Sequence, residues 1–220
     1  MCPRIKRHSE SILLEDGTLL AVSGIGDVAA TRAAFRLIEA GAQALVSFGL
    51  AGGLDPTLRA GTIFLPTEVM DGQDRVLPTS NGWRDRVGQA LIASAPIIAG
   101  RLLSSSQAII GVRDKADAFH ATRARAVDME SMALARAAAS CGLPFLAVRV
   151  IVDTAQDALP PALMAATDSG HLRIWRLISW LALAPTNIVD LIRLARRYRI
   201  ASRSLHAAAA IPSLRDAVIG

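Results

Sequence analysis

The stretch Thr18-Leu-Leu-Ala-Val-Ser-Gly-Ile-Gly-Asp27 decides the fold class. Residues 18 to 23 read as a buried strand, and Gly24-Ile25-Gly26-Asp27 as a turn that opens a helix at Val28 with Asp27 as N-cap. The apolar periodicity then runs to about Ala40, Gly41 supplies a C-terminal cap, and Ala44 to Phe48 reads as a second buried strand. A strand, helix and strand within about 30 residues predict a right-handed crossover between parallel strands.

Working outward, Gly49 to Gly53 breaks the second strand and Gly61 to Val69 supplies a third. Gly82 to Ala93 reads as helix, Ile97 to Ser104 as strand, 113 to 123 as helix, and Arg125 to Asp128 as a short extended segment. Glu130 to Ser140 is helical until Gly142, and Phe145 to Val152 is an apolar strand interrupted only by Arg149. Strands alternating with helices at this spacing predict a three-layer α/β/α fold around a mixed, largely parallel sheet. We divide the chain into an N-terminal segment over 1–17, a main α/β domain over 18–165, and basic amphipathic helices over 166–220. The last part carries apolar positions at helical spacing over His171 to Ala184 and Thr186 to Ala210, with Arg173, Arg176, Arg193, Arg196, Arg197, Arg199 and Arg203 on the other faces.

Composition agrees with one well-filled domain. Of 220 residues, 52% are apolar and 20% charged, enough to bury a core and too apolar for a disordered chain. With aromatics at 4%, the core is built from Ala, Leu, Val and Ile, which suits a helix-covered sheet. The net charge of +5 rests on arginine, because Lys6 and Lys115 are the only lysines. Cys2 and Cys141 form no disulfide framework, so a reducing cytoplasm is the expected location. Met1 to His8 is basic but no apolar segment follows it, which argues against a secretory signal. Ala40 to Leu54 and Leu177 to Val189 fall short of the roughly 20 apolar residues that span a bilayer.

Four segments carry candidate chemistry. Ser23-Gly24-Ile25-Gly26 could present backbone N–H groups and a helix N-terminus to an anion or a sugar hydroxyl, or be an ordinary α/β turn. Phe48-Gly-Leu-Ala-Gly-Gly-Leu-Asp-Pro56, with Ala51 and Gly52 inside it, leaves room for a ligand at a strand's carboxyl end, or serves a tight turn. In Ala126-Val-Asp-Met-Glu-Ser-Met-Ala133, the Glu130 carboxylate could hold a sugar diol beside Met129. The simpler alternative has Asp128 capping the helix and Glu130 favouring its dipole. In Val148-Arg-Val-Ile-Val-Asp-Thr-Ala155, Asp153 at the end of a buried strand beside Val152 would be poorly solvated, which raises its pKa and suits it to donate a proton. Arg149 could instead form a structural ion pair with a carboxylate, leaving Asp153 as a cap. His120, His171 and His206 lack ligand spacing, so no metal or other cofactor is expected. Asp114 and Lys115 read as the start of a helix and nothing more.

In this order, the four segments resemble the purine nucleoside phosphorylase and methylthioadenosine/S-adenosylhomocysteine nucleosidase family over roughly residues 18 to 157. The resemblance implies an enzyme that cleaves the N-glycosidic bond of an adenine nucleoside. It implies that Asp153 protonates or hydrogen-bonds adenine N7, and that Glu130 holds the ribose hydroxyls and steadies the oxocarbenium ion, with Met129 against the sugar. Gly24, Gly26, Ala51, Gly52 and Val152 are the remaining expected substrate contacts. Two departures stand out. No strand is read before residue 18, where family members carry a strand and a loop glutamate that activates water. Leu50 stands where the family often has serine, and Ser47 where some phosphorylases have a phosphate-binding arginine, so phosphate as co-substrate is left open. Gly49-Leu-Ala-Gly-Gly-Leu-Asp-Pro56, Asp128-Met-Glu-Ser131, Leu159-Pro-Pro-Ala162 and the basic tail are further similar to hopanoid-associated phosphorylases.

That narrower resemblance implies adenosylhopane as substrate, with the tail touching the cytoplasmic face of a membrane. Its alternative has the tail completing the core or a dimer interface. The competing readings are a methylthioadenosine/S-adenosylhomocysteine nucleosidase and, from another class, a non-catalytic purine-binding protein at a membrane surface. Nucleic acid is not an expected partner, because the basic helices lack interleaved aromatics. Homo-oligomerisation is expected from the family alone.

Overall fold

The computed structural model describes residues 11–14, 16–158, 167–168, 171–172 and 187–215. A six-stranded mixed sheet forms the centre. Its strands are β3 (Leu45–Gly53), β4 (Ile63–Met70), β5 (Val76–Pro78), β6 (Ile97–Ser104), β7 (Ala126–Asp128) and β8 (Phe145–Asp153), in the order β5-β4-β6-β7-β3-β8. Pairings β3–β8, β4–β6 and β6–β7 are parallel, whereas β3–β7 and β4–β5 are antiparallel. A further antiparallel pairing of β4 with β8 (Ile63 opposite Val150, Phe64 opposite Arg149) makes the sheet curl back on itself. The expected α/β architecture is therefore present, with flanking helices α1 (Asp27–Glu39), α2 (Asn81–Leu91), α3 (Val112–Thr122), α4 (Ser131–Ser140) and α5 (Asn187–Ala209).

Alternation along β8 separates two cores. Phe145, Ala147 and Ile151 pack with Ala34 of α1 and with Met132, Ala135 and Ala138 of α4. Leu146, Val148 and Val150 face the other way, toward Trp83, Val87 and Leu91 of α2 and Ala201 and Ala208 of α5. Arg149 and Asp153 thus lie on the α4 side by the same period of two. The alanines of α4 are small enough for it to sit close to the sheet, and its first residue, Ser131, meets Ser47 of β3 and Arg149 of β8.

The opening stretch corrects the expectation built on it. Residues 19 to 21 form a short strand, β2 (Leu19–Ala21), but it pairs antiparallel with β1 (Ser11–Leu13) and not with β3. A strand does precede residue 18, contrary to the sequence reading, and the expected parallel crossover is absent. The physical reason is burial: Leu20 is 46% and Val22 82% exposed, so this segment lies over α1 and does not enter the core. Helix α1 begins one residue earlier than expected, after Gly26, and Asp27 instead pairs with Arg136 of α4.

The tail is corrected as well. Residues 171–172 are a strand, β10, paired with β9 (Thr167–Asp168), where a helix was expected. Residues 173–186 and Leu159 to Ala162 lie outside the described residues. Helix α5 packs on the sheet through Ala201 and Ala208, with Ile200 against Gly61, while Arg196, Arg199 and Arg203 point outward. Its apolar positions complete the second core, the alternative that the sequence left open. Among the described residues, no helix is long and apolar enough to cross a membrane.

Candidate active site

The sheet order places β3 between β7 and β8, so three of the four motifs meet at one place. Gly52 is registered with both Val127 and Asp153. A Cβ at Gly52 would lie 3.1 and 3.4 Å from the Asp153 carboxylate oxygens and 3.3 Å from the Val127 side chain. The glycine is required by this close approach, since any side chain would displace the carboxylate. Ala51 is 4% exposed and its methyl group belongs to the core, whereas Val152 is only partly buried.

The fourth motif is joined from the other side. Glu130 lies two residues beyond β7 and occupies the N-cap position of α4, where a carboxylate favours the helix dipole. Its Oε1 accepts a hydrogen bond from the Gly26 backbone N–H at 3.0 Å, and its Oε2 one from Met129 N–H at 3.3 Å. Gly24 and Gly26 adopt φ of +75° and +96°, left-handed conformations that L side chains rarely enter. That geometry aims the Gly26 N–H at Glu130 and fixes the loop beside the partly buried Met129.

Asp153 is 3% exposed, and its carboxyl pKa lies above the ordinary aspartate value. Burial is the main cause of the rise and the nearby Asp157 adds to it, while the charge and hydrogen bond of Lys115 oppose it. Lys115 is wholly buried, and its Nζ donates to Asp153 Oδ2, to Thr154 O at 2.9 Å and to Asp157 O at 2.8 Å. The sequence reading gave Lys115 no role beyond starting a helix, and the structure corrects that. The available signal was its rarity, one of only two lysines in a chain whose other basic side chains are arginines.

Arg149 forms a second buried pair. Its Nη2 lies 2.6 Å from Asp128 Oδ2 and donates to Ser47 Oγ at 2.6 Å and Ser131 Oγ at 3.0 Å. Asp128 also accepts from the Ser131 N–H at the start of α4, so the structural pairing weighed for Arg149 and the capping weighed for Asp128 coexist. Ser47 is thereby committed to the interior on the α4 side, and Leu50 faces the other side of β3, against the second core. No group of three or more His, Cys, Asp or Glu is placed to hold a metal ion among the described residues.

The profile of the phosphorylase superfamily matches residues 12–172, nearly three quarters of the chain. The chain belongs to the phosphorylase superfamily. It is an enzyme of the nucleosidase and phosphorylase kind, and the non-catalytic alternative falls away. A 5′-methylthioadenosine/S-adenosylhomocysteine nucleosidase of Geobacillus kaustophilus is 30% identical over 164 residues, covering 63% of this chain and 68% of that one. Solved structures agree in fold. The 5′-methylthioadenosine/S-adenosylhomocysteine nucleosidase of Neisseria meningitidis in complex with methylthio-immucillin-A superposes with a TM-score of 0.58 at 24% identity, covering 62% of this chain and 68% of that one. The futalosine hydrolase of Helicobacter pylori gives 0.59 at 20% identity, covering 66% and 77%.

These relatives correct the narrower expectation. The similarity runs to methylthioadenosine/S-adenosylhomocysteine nucleosidases and not to the hopanoid-associated branch, which removes adenosylhopane as the substrate. The described part of the basic tail that favoured that choice, α5, packs on the second core.

Proposed function

We propose that this superfamily member hydrolyses 5′-methylthioadenosine and S-adenosylhomocysteine, releasing adenine. The observation that carries the reading is Asp153, nearly buried at the end of β8 with a raised pKa, one strand away from the motif that holds Glu130. The substrate class is supported by the Geobacillus kaustophilus relative.

In this reading the Asp153 carboxyl donates its proton to adenine N7. The C1′–N9 bonding pair moves into the purine, so the base leaves neutral and the ribosyl carbon becomes cationic. Glu130, tied to Gly26 and pointing from the start of α4, accepts hydrogen bonds from the ribose hydroxyls and stabilises that charge. Met129 packs against the sugar. Water is the favoured nucleophile, because Ser47 and Arg149 are spent on Asp128 and Ser131, and Leu50 offers no donor. Homo-oligomerisation has separate support in the exposed apolar residues Leu20, Val22, Ile25 and Val28 around the first turn of α1.

Adenine release measured by chromatography, with each nucleoside and with or without phosphate, tests the proposal. Release from methylthioadenosine that is independent of phosphate and at least about 100-fold slower in a folded Asp153→Asn variant is the expected result. Dependence on phosphate would reassign the nucleophile, and full activity in the variant would remove Asp153 as the acid.

A further inference from the structure

We infer that Lys115 is the positioning residue of this acid: its ammonium group locks Asp153 Oδ2 and leaves Oδ1 as the oxygen that meets the base. The inference rests on the reading of Asp153 as the proton donor. Lys115 comes from α3, outside all four motifs, and is completely buried. An ammonium group has three hydrogens, and here three oxygens accept them: Asp153 Oδ2, Thr154 O and Asp157 O. Every donor is used, so the cation cannot turn away, and the carboxylate it holds cannot rotate.

Among the described residues, Lys115 is the cation in contact with this carboxyl. From β3 the neighbours are Gly52 and Gly53, and from β7 Val127, all uncharged. From the segment after β8 comes Asp157, whose carboxylate accepts from the Thr154 N–H and hydroxyl and pairs with Arg197 of α5 at 2.6 Å. Burial and Asp157 both disfavour the anion of Asp153, while Lys115 favours it.

That balance matters in the chemical step. As the C1′–N9 bond breaks, the proton on Oδ1 passes to N7, the bonding pair enters the purine, and Asp153 is left as a carboxylate. Lys115 keeps its three protons and stabilises the anion being formed. Attack of water on C1′ releases the proton that restores the acid. Without Lys115, Asp153 would be a weaker acid in the same pocket, protonated to higher pH but slower to give its proton up.

The experiment is the pH profile of kcat/KM for adenine release from methylthioadenosine by wild type, Lys115→Met, Lys115→Arg and Asp153→Asn. Lys115→Met is expected to carry the alkaline limb upward by about one unit or more. Its kcat at the wild-type optimum should fall at least about tenfold, in the range of one general-acid contribution. Lys115→Arg, which keeps the charge, should restore the limb toward wild type. An alkaline limb unmoved in Lys115→Met overturns the inference, whereas undiminished activity in Asp153→Asn overturns the assignment of the acid beneath it.

Should Lys115→Met fail to fold, the wild type decides. The chain has two lysines, so labelling with 15N-lysine gives two ammonium signals, and Lys6→Arg assigns them. A Lys115 signal protected from exchange with water, shifting across the pH range of the alkaline limb, is the expected result. A Lys115 signal that exchanges freely, or stays flat over that range, overturns the inference.

Discussion

Two buried cations flank the same strand, and they are built differently. Arg149 lies opposite Gly49 of β3, and its planar guanidinium is shared among Asp128 and two serines. Lys115 reaches Asp153 opposite Gly52, and its compact ammonium is shared among one carboxylate and two backbone carbonyls. The first pair ties β8 to the start of α4, so its work is to hold the helix that carries Glu130. The second ends on the carboxyl proposed as the proton donor. A guanidinium spreads its donors over a plane, whereas an ammonium concentrates three at one point, and each suits the oxygens around it. The lesson is that a buried ion pair near an active site is not by itself catalytic. What its carboxylate faces decides.

Substitutions can break or sharpen this contrast. The largest effect is expected for Asp153→Asn, with kcat/KM for adenine release falling about 10²- to 10⁴-fold, the range of a lost general acid. Arg149→Met should act on stability, costing about 3–5 kcal/mol in urea unfolding because Asp128 is left buried without its cation. The two glycines form a finer pair. At Gly49 a Cβ would lie 2.5 Å from the Arg149 guanidinium, so Gly49→Ala is expected to lower the unfolding free energy by about 1–3 kcal/mol through overpacking. At Gly52 the added methyl group meets the Asp153 carboxylate, and Gly52→Ala should lower kcat/KM about ten- to a hundredfold by misplacing it. Equal losses of activity at both glycines would collapse the distinction between the pairs.

The smallest effect concerns pH and a third pair, Asp55 with Arg125 at 2.7 Å. Burial would raise the Asp55 pKa, but hydrogen bonds from Thr57 and Arg125 outweigh it and hold the carboxyl below 3.8. The stabilisation is present above the unfolded value and is lost as pH falls through the lower folded one. Asp153 has the opposite sign. Its raised pKa favours the fold below 3.8, and that contribution fades as pH rises through the folded value. Chemical unfolding of wild type and Asp55→Asn across acidic pH should show a stability gap that closes as the solution becomes more acid. A gap that widens instead would mean the Arg125 contact does not favour the ionised form.

Much of the site was legible from local sequence, for reasons the residues make plain. The apolar run of β8 marked a buried strand, so a carboxylate at its end had to be poorly solvated, and the structure places Asp153 at 3% exposure with a raised pKa. The glycines read as a break after the second strand lie inside β3 instead, where Gly52 is registered with Asp153 and lies against its carboxylate. Arg149 was visible as an anomaly because a charge inside an apolar strand must find a partner. Lys115 carried no such mark. A lysine in the first turn of a helix with acidic and polar neighbours looks solvated, and only the packing of α3 over the end of β8 buries it.

By itself, then, the amino-acid order determined many of the periodicities, the α/β class and the position of a poorly solvated carboxylate at a strand's end, since these depend on neighbours within a turn or a strand. Tertiary structure alone decided which strands pair. The stretch from Thr18 to Asp27 has the pattern of a crossover, yet β2 joins β1, and β8 closes against β4 instead. Pairing depends on which edges are free and which faces are buried after the chain has collapsed, and the same holds for the cation that reaches Asp153. A contact between residues 38 positions apart leaves no period in the sequence to read.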